Sequence, residues 1–222
     1  MKNVAIILAS GTGSRCNLGF PKQFAEVGGK TVLEHTIDKF EEHSLIDEII
    51  IVTNEEYVSK IEGLVRGYKK ISQVVKGGET RRESSYNGVS VLCDIEEANV
   101  LIHDGVRPMI DMEVITKCVE SLSENDAVCV TTPATDTIFV VDEVGIIKDI
   151  PQRKNLKCAQ TPQCFKLSLI RDAHKKAKKD ANCSVTDDCG LILNYTDTDI
   201  LTIDGNVDNI KITYQKDLEL IK

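Results

Sequence analysis

No two of the eight cysteines form a Cys-x-x-Cys pair; they are scattered at 16, 93, 118, 129, 158, 164, 183 and 189. Zinc-ligand spacing is therefore absent. Cys93, Cys118 and Cys129 lie in apolar surroundings and are expected to be small core residues. No stretch is long or apolar enough to span a bilayer. No secretory signal is visible, because the first apolar run is short and lacks a cleavage-type ending, so reduced thiols and a cytoplasmic location are expected. Positive charge is not in excess: a net charge of -8 argues against non-specific binding to nucleic acid or to an anionic membrane surface. A small anionic ligand stays open, because local cations decide that. Tryptophan is missing and aromatics make up 5%, beside an ordinary apolar share of 41%. The length allows a large core without disulfide staples. Repeats, linkers and low-complexity tracts are absent, and residues 1–222 are read as one domain.

Two familiar phosphate motifs are missing as well. The dinucleotide fingerprint needs a third glycine at position 16, which is Cys16. A P-loop ending in Gly29-Lys-Thr31 would need glycine at position 24, which is Phe24. The chain has instead an apolar run, Val4-Ala-Ile-Ile-Leu8, followed by Ala9-Ser-Gly-Thr-Gly-Ser-Arg15 and then Phe20-Pro-Lys-Gln-Phe24. Small residues let backbone N–H groups approach an anion closely, and Arg15 and Lys22 can neutralise it. This segment reads as a triphosphate cradle at the edge of a parallel sheet; the alternative is an ordinary strand-to-helix turn at Gly11 and Gly13.

Strand and helix signals alternate through the first two-thirds of the chain. Apolar runs predict strands at 4–8, 47–53, 71–75, 99–103 and 127–132, and helical spacing predicts helices at 31–40, 55–68, 81–92 and 112–122. Thr31 with Glu34 has the form of a capping box. This rhythm predicts an α/β fold with a mostly parallel sheet covered by helices on both faces. Residues 133–157 break it: Ile138-Phe-Val-Val141 and Ile146-Ile-Lys-Asp-Ile150 flank Asp142-Glu-Val-Gly145, a hairpin signature. A protruding hairpin arm is expected to pack on a second subunit, or else to lie as a flap on its own sheet. Beyond it come predicted helices at 167–179 and 186–193, the latter capped by Thr186 or Ser184, strands at 200–203 and 210–213, and a closing helix at 215–221.

Four segments at predicted strand ends carry chemistry. His103-Asp-Gly-Val-Arg-Pro108 follows the fourth strand, and ligands of open α/β sheets sit beyond such ends. Asp104 beside a triphosphate would repel it unless a hard cation intervenes, and Mg²⁺ fits that role; a turn or cap aspartate is the plainer reading. His103 reads as a packed strand-end side chain. Gly77-Gly-Glu-Thr-Arg-Arg-Glu-Ser-Ser85 follows the third strand and offers glycines, hydroxyls and arginines at a helix start. Thr186-Asp-Asp188 opens a helix, as caps or as ligand contacts. Lys211 stands in an otherwise apolar stretch and must reach an anion or water. No Ser-His-Asp set, thiolate site or redox motif is present. Positioning and charge neutralisation are how phosphoryl and nucleotidyl transfer is catalysed.

Six motifs occur in order: Ser10-Gly-Thr-Gly-Ser-Arg15 with Pro21-Lys-Gln-Phe24; Gly77-Gly78 with Arg81 and Ser84; His103-Asp-Gly-Val-Arg-Pro108; Gln160-Thr-Pro-Gln163; Thr186-Asp-Asp188; and Asn209-Ile-Lys-Ile-Thr213. Together they resemble the cytidylyltransferases that act on 2-C-methyl-D-erythritol 4-phosphate and on ribitol 5-phosphate. The resemblance spans nearly the whole chain. It implies a Rossmann-like nucleotidyltransferase fold whose hairpin arm joins a homodimer, with CTP and a polyol phosphate as substrates. It further implies that Arg15, Lys22 and Lys211 act on the reacting phosphates, and that Ala9, Ser10, Gly11, Thr12, Gly13, Gly77, Gly78, Arg81, Ser84 and Asp104 form the nucleotide site, Asp104 with Mg²⁺. Arg107, Thr137, Arg153, Thr186 and Lys211 would then serve the polyol phosphate, Thr137 and Arg153 reaching in from the partner's arm. Ser10 stands where the family usually has Ala or Gly. Gly105-Val106 and Asp149-Ile-Pro-Gln-Arg153 lean toward the ribitol branch, whereas Val185-Thr-Asp-Asp188 and Val207-Asp-Asn-Ile-Lys-Ile-Thr213 lean toward methylerythritol. The methylerythritol acceptor is preferred. Ribitol 5-phosphate, a sugar-1-phosphate nucleotidyltransferase and a non-catalytic nucleotide-binding homologue are the alternatives.

Overall fold

The computed structural model describes residues 1–13, 16 and 18–221. β1 (Lys2–Leu8) is buried at every position after the first, as its unbroken apolar run requires. After it come the short antiparallel pair β2 (Glu26–Val27) and β3 (Lys30–Thr31), then α1 (Val32–Glu41). Thr31 and Glu34 form the anticipated capping box: Thr31 Oγ1 accepts from Glu34 N and Glu34 Oε2 accepts from Thr31 N. β4 (Glu48–Thr53), α2 (Val58–Leu64), β5 (Ile71–Lys76), α3 (Arg81–Ser90), β6 (Ala98–Asp104), α4 (Met112–Ser121) and β7 (Ala127–Pro133) continue the alternation. α2 is shorter than its predicted span, ending between Gly63 and Gly67, residues that weaken a helix. The arm carries β8 (Val140–Val141) and β9 (Ile147–Asp149), paired antiparallel, with Gly145 at φ +86° in the turn. β10 (Lys157–Lys166), α5 (Leu167–Ala177), α6 (Asp188–Tyr195) and β11 (Leu201–Asp204) follow, and a 3-10 helix, Gln215–Leu220, replaces the predicted closing α-helix.

The main sheet has the order β11-β7-β10-β6-β1-β4-β5. All its neighbours are parallel except β10, which runs antiparallel between β6 and β7. β10 carries no apolar run, and its Gln160-Thr-Pro-Gln163 centre has the composition of a loop. Its place in the sheet is set by tertiary partners. A strand is also absent at 210–213: past β11 the chain leaves the sheet, and Ile210 and Ile212 pack with Ala25, Val32, Val106 and Ile221.

Alternating side chains of the central strands feed two cores. Ile7, Ile49, Ile51 and Leu101 meet α1, α2 and α4 through Leu33, Ile37, Phe40, Ile61 and Ile115. Ile6, Ile50, Val52, Val100 and Ile102 meet α3, α5 and α6 through Val89, Leu167, Ile170 and Leu191. Full burial of each such side chain contributes roughly 1.5–3 kcal/mol. Cys118 and Cys129 are buried as expected, but Cys93 is exposed, just past α3.

Gly88 sets the approach of α3 to the sheet: a Cβ there would lie 2.6 Å from Ile6 Cγ2 and 2.9 Å from Val52 Cγ2. Gly88→Val is expected to lower unfolding stability by about 1–3 kcal/mol, the usual cost of overpacking a core. Chemical denaturation measures it.

Candidate active site

The strand pairing fixes the site's frame. Leu8 at the end of β1 lies opposite Val52 of β4 and Asp104 of β6. Three loops therefore emerge side by side from the carboxyl ends of parallel strands, where open α/β sheets bind ligands. A cleft of about 380 Å³ opens there. A larger, shallower hollow of about 750 Å³ lies by Asp126, Lys166 and Tyr195, near the starts of β6 and β7, away from these ends.

The first loop is shaped by close contacts. Gln23 Nε2 donates to Ala9 O at 2.8 Å and Ser10 Oγ donates to Val52 O at 3.3 Å. Gly13 adopts φ +71°, and a Cβ on it would crowd Lys22 N at 3.1 Å. Ser10 is accommodated because Gly77 faces it: a Cβ on Gly77 would collide with the Ser10 and Ser84 hydroxyls. Lys22 is 7% exposed and lines the cleft.

Asp104, its side chain 9% exposed, forms the opposite wall. Lys211 Nζ lies 3.0 Å from Asp104 Oδ2, Arg107 Nε 3.4 Å from the same oxygen, and Arg81 Nε 3.6 Å from Oδ1. Burial alone would raise the carboxyl's pKa, but Arg81, Lys211 and Arg107 outweigh it and hold Asp104 ionised well below the usual carboxylate range. Arg81 also donates to Asp188 Oδ2 at 2.6 Å.

The polar centre of β10 organises these groups. Thr161 Oγ1 accepts from Asp104 N at 3.1 Å and lies 3.0 Å from His103 Nδ1. Gln160 Nε2 donates to Asn206 O at 2.8 Å, and Asn209 Nδ2 donates to Thr161 O at 3.0 Å, which seats the segment bearing Lys211. Arg107 Nη1 donates to Asn209 O at 2.8 Å. Gln163 Oε1 accepts from Asp188 N and Cys189 N at 3.0 and 3.2 Å, and its Nε2 donates to Asp187 Oδ2 at 2.7 Å.

Of the residues singled out from sequence, Ala9, Ser10, Gly11, Thr12, Gly13, Lys22, Gly78, Arg81, Ser84, Asp104 and Lys211 line one cleft. Gly77 is buried beneath it and Arg107 reaches Asp104 beside it. Arg15 lies outside the described residues. Thr137 and Arg153 are not in the cleft wall; they are exposed on the arm, where Arg153 Nη2 donates to Thr137 Oγ1 at 3.0 Å. Thr186 is exposed and does not cap α6, nor does Ser184; Asp187 does, accepting from Gly190 N at 2.9 Å. An aspartate one residue nearer the helix caps as well as threonine does, so composition could not choose between them. Asp188, Gln163 and Thr161 were visible only as members of motifs, because their partners lie far along the chain.

A cation would find two carboxylates on the cleft wall, the buried Asp104 and the exposed Glu79. Among the described residues no group of three or more His, Cys, Asp or Glu side chains could hold a metal. The donor set nevertheless fits Mg²⁺, a hard cation commonly held by one or two carboxylates together with ligand phosphates. Asp104, ionised and already facing cationic groups, is the residue that would share it.

His103 and His174 are buried, and desolvation pushes both down to about 4. Between that value and the ordinary 6.5 the unfolded chain takes up protons that the folded chain refuses, so stability falls as pH falls through this window. Asp104 adds its own loss only below the carboxylate range. Unfolding free energies from denaturant titrations are expected to fall by on the order of 1 kcal/mol per histidine for each pH unit between about 6.5 and 4.5. His174→Gln should flatten the slope.

Comparison with known proteins places this arrangement. A bifunctional ribulose 5-phosphate reductase/CDP-ribitol pyrophosphorylase of Haemophilus influenzae is 40% identical across 98% of this chain, which spans 47% of that protein. A 2-C-methyl-D-erythritol 4-phosphate cytidylyltransferase of Clostridium botulinum is 38% identical over 99% of this chain and 95% of its own length. A ribitol-5-phosphate cytidylyltransferase of Vibrio parahaemolyticus is 37% identical over 99% and 94%. The crystal structure of 4-diphosphocytidyl-2C-methyl-D-erythritol synthase from Anaerococcus prevotii superposes with a TM-score of 0.87 at 33% identity, covering 98% of this chain and 93% of that one. The family model IspD, 2-C-methyl-D-erythritol 4-phosphate cytidylyltransferase, matches residues 3–222. With the fold, the cleft and these likenesses in agreement, the chain belongs to the 2-C-methyl-D-erythritol 4-phosphate cytidylyltransferase family of nucleotidyltransferases.

Proposed function

We propose that the cleft takes CTP and that a polyol phosphate, 2-C-methyl-D-erythritol 4-phosphate in the reading favoured here, is cytidylylated at its rim. One observation carries this: Lys22, Arg81, Asp104 and Lys211, drawn from four separate parts of the chain, face one cleft of about 380 Å³ above the parallel strands. The acceptor's phosphate oxygen attacks the α-phosphorus of CTP. The bond from that phosphorus to the β-phosphate bridging oxygen breaks, and pyrophosphate leaves. Lys22, Lys211 and Arg15 would stabilise charge on the α-phosphate and the departing oxygens. Backbone of Ala9 through Gly13 would cradle the triphosphate, and Gly77, Gly78, Arg81 and Ser84 would enclose the nucleoside. Arg107 and Lys211 would hold the acceptor's phosphate. Mg²⁺ shared with Asp104 would neutralise phosphate charge.

The arm is read as a dimer contact. Ile138, Phe139, Val140, Val141, Val144, Ile146, Ile147 and Ile150 are all more than 40% exposed, a row that water penalises and a second copy would cover. Thr137 and Arg153, paired at the arm's base, would then reach the acceptor in the partner's cleft, beside that subunit's Thr186. The unpaired cysteines suit a reducing compartment such as the cytoplasm, and no described helix is long and apolar enough to cross a membrane. Residues 1–222 are read as one domain bearing this arm.

Ribitol 5-phosphate is the second reading. Gly105-Val106 favours it, as does the full-length relative from Vibrio parahaemolyticus.

Pyrophosphate release is expected with CTP, Mg²⁺ and one acceptor, with turnover on methylerythritol 4-phosphate exceeding that on ribitol 5-phosphate at matched concentrations. The reverse ratio moves the assignment to ribitol, and silence with both ends it. Lys22→Ala and Lys211→Ala should each cut kcat by about 10²-fold, the scale of one lost preorganised contact. Dilution to monomers should leave CTP binding in calorimetry but abolish most turnover.

A further inference from the structure

Arg81 stands between two carboxylates of unequal claim. Asp104 faces it at 3.6 Å and shares itself with Arg107 and Lys211. Asp188 faces it at 2.6 Å, and the Asp188 side chain is 0% exposed. Its oxygens are divided: Oδ2 accepts from Arg81 Nη1, and Oδ1 accepts from Ser85 Oγ at 2.5 Å. The Ser85 hydroxyl in turn lies 3.2 Å from Nε2 of buried His174. The Asp188 backbone is pinned from the sheet by Gln163 Oε1 at 3.0 Å. Both oxygens of the carboxylate are thus held from α3, while β10 holds the Asp188 backbone and His174 of α5 stands behind Ser85.

Among the described residues the ion-pair partner of this buried side chain is Arg81, and Arg81 lines the cleft. Lys211 is 39% exposed and can turn from Asp104 to an arriving phosphate. Arg81 cannot do so freely, because Asp188 holds it from behind. Orientation fixed before binding lowers the cost of binding.

We propose that Asp188, seated by Ser85 and Gln163, is the positioning residue that fixes Arg81 for the nucleotide. This rests on reading the cleft as the CTP site. Asp188 acts through Arg81 and touches no substrate itself.

A double-mutant cycle on the full-length protein tests it, with Asp188→Asn, Arg81→Gln and the pair assayed for kcat and both Michaelis constants. Each single change is expected to raise KM for CTP about tenfold, the scale of one charge-assisted hydrogen bond, with KM for the acceptor within twofold. The pair should be no worse than Arg81→Gln alone, because Asp188 acts only through Arg81. Additive losses, or equal losses for both substrates, overturn the proposal and make Asp188 a fold residue. An Arg81→Gln enzyme with unchanged KM for CTP overturns instead the nucleotide-site reading, and the proposal with it. Should Asp188→Asn fail to fold, Ser85→Ala, which deletes only a hydroxyl, repeats the cycle with an expected threefold effect, roughly one neutral hydrogen bond.

Discussion

Asp104 is one carboxylate against three cations, and the geometry of the sheet's upper rim follows from that imbalance. Arg81 comes from the start of α3, Arg107 from the turn after β6, and Lys211 from the segment beyond β11. Without the carboxylate, three positive groups would crowd a partly buried space. With it they are held together, and even with Asp188 on the far side of Arg81 the three cations outnumber the two carboxylates by one. Buried ion pairs stabilise a fold weakly, because desolvation opposes them. The better account of this cluster is that it stores affinity for an anion, with the backbone bonds from β10 bearing the structural load.

Much of this frame was legible in the sequence, for physical reasons. Unbroken apolar strands such as Ile49-Ile-Ile-Val52 can only be buried on both faces, and α1 announces itself through Thr31 and Glu34. The first loop could be read as a cradle because glycine and small side chains leave room that larger ones would fill. What could not be read was relational. β10 is polar at its centre and contains Pro162, so no local rule makes it a central strand. Lys211 was seen to need an anion or water, but the strand assigned to it does not form. Asp188 looked like one cap among several, because its value lies in Arg81, 107 residues away.

The six motifs acquire a common explanation in the folded protein. Gln160-Thr-Pro-Gln163 contacts no open cleft surface of its own, yet it bonds the segments carrying Asp104, Asn209 and Asp188. It is the polar staple between the charged loops. Relatives named for each of the two polyol phosphates match nearly the whole chain at similar identity. Of the segments that lean toward one branch or the other, Gly105-Val106 adjoins Asp104 with Val106 on the cleft wall, the 207–213 segment carries Lys211, and the 149–153 segment lies on the arm.

The order in which the strands are used has a consequence for synthesis on the ribosome. β1, β4, β5 and β6 emerge first and can pair with one another, but the gap between β6 and β7 waits for β10, and Lys211 follows later still, beyond β11. A nascent chain therefore carries the glycine loop and Asp104 for a long interval without the groups that later surround them. Such a polypeptide lacks both the β10 staple and the Lys211 ammonium, so the charge cluster is completed by the segments that are made after the sheet's other half.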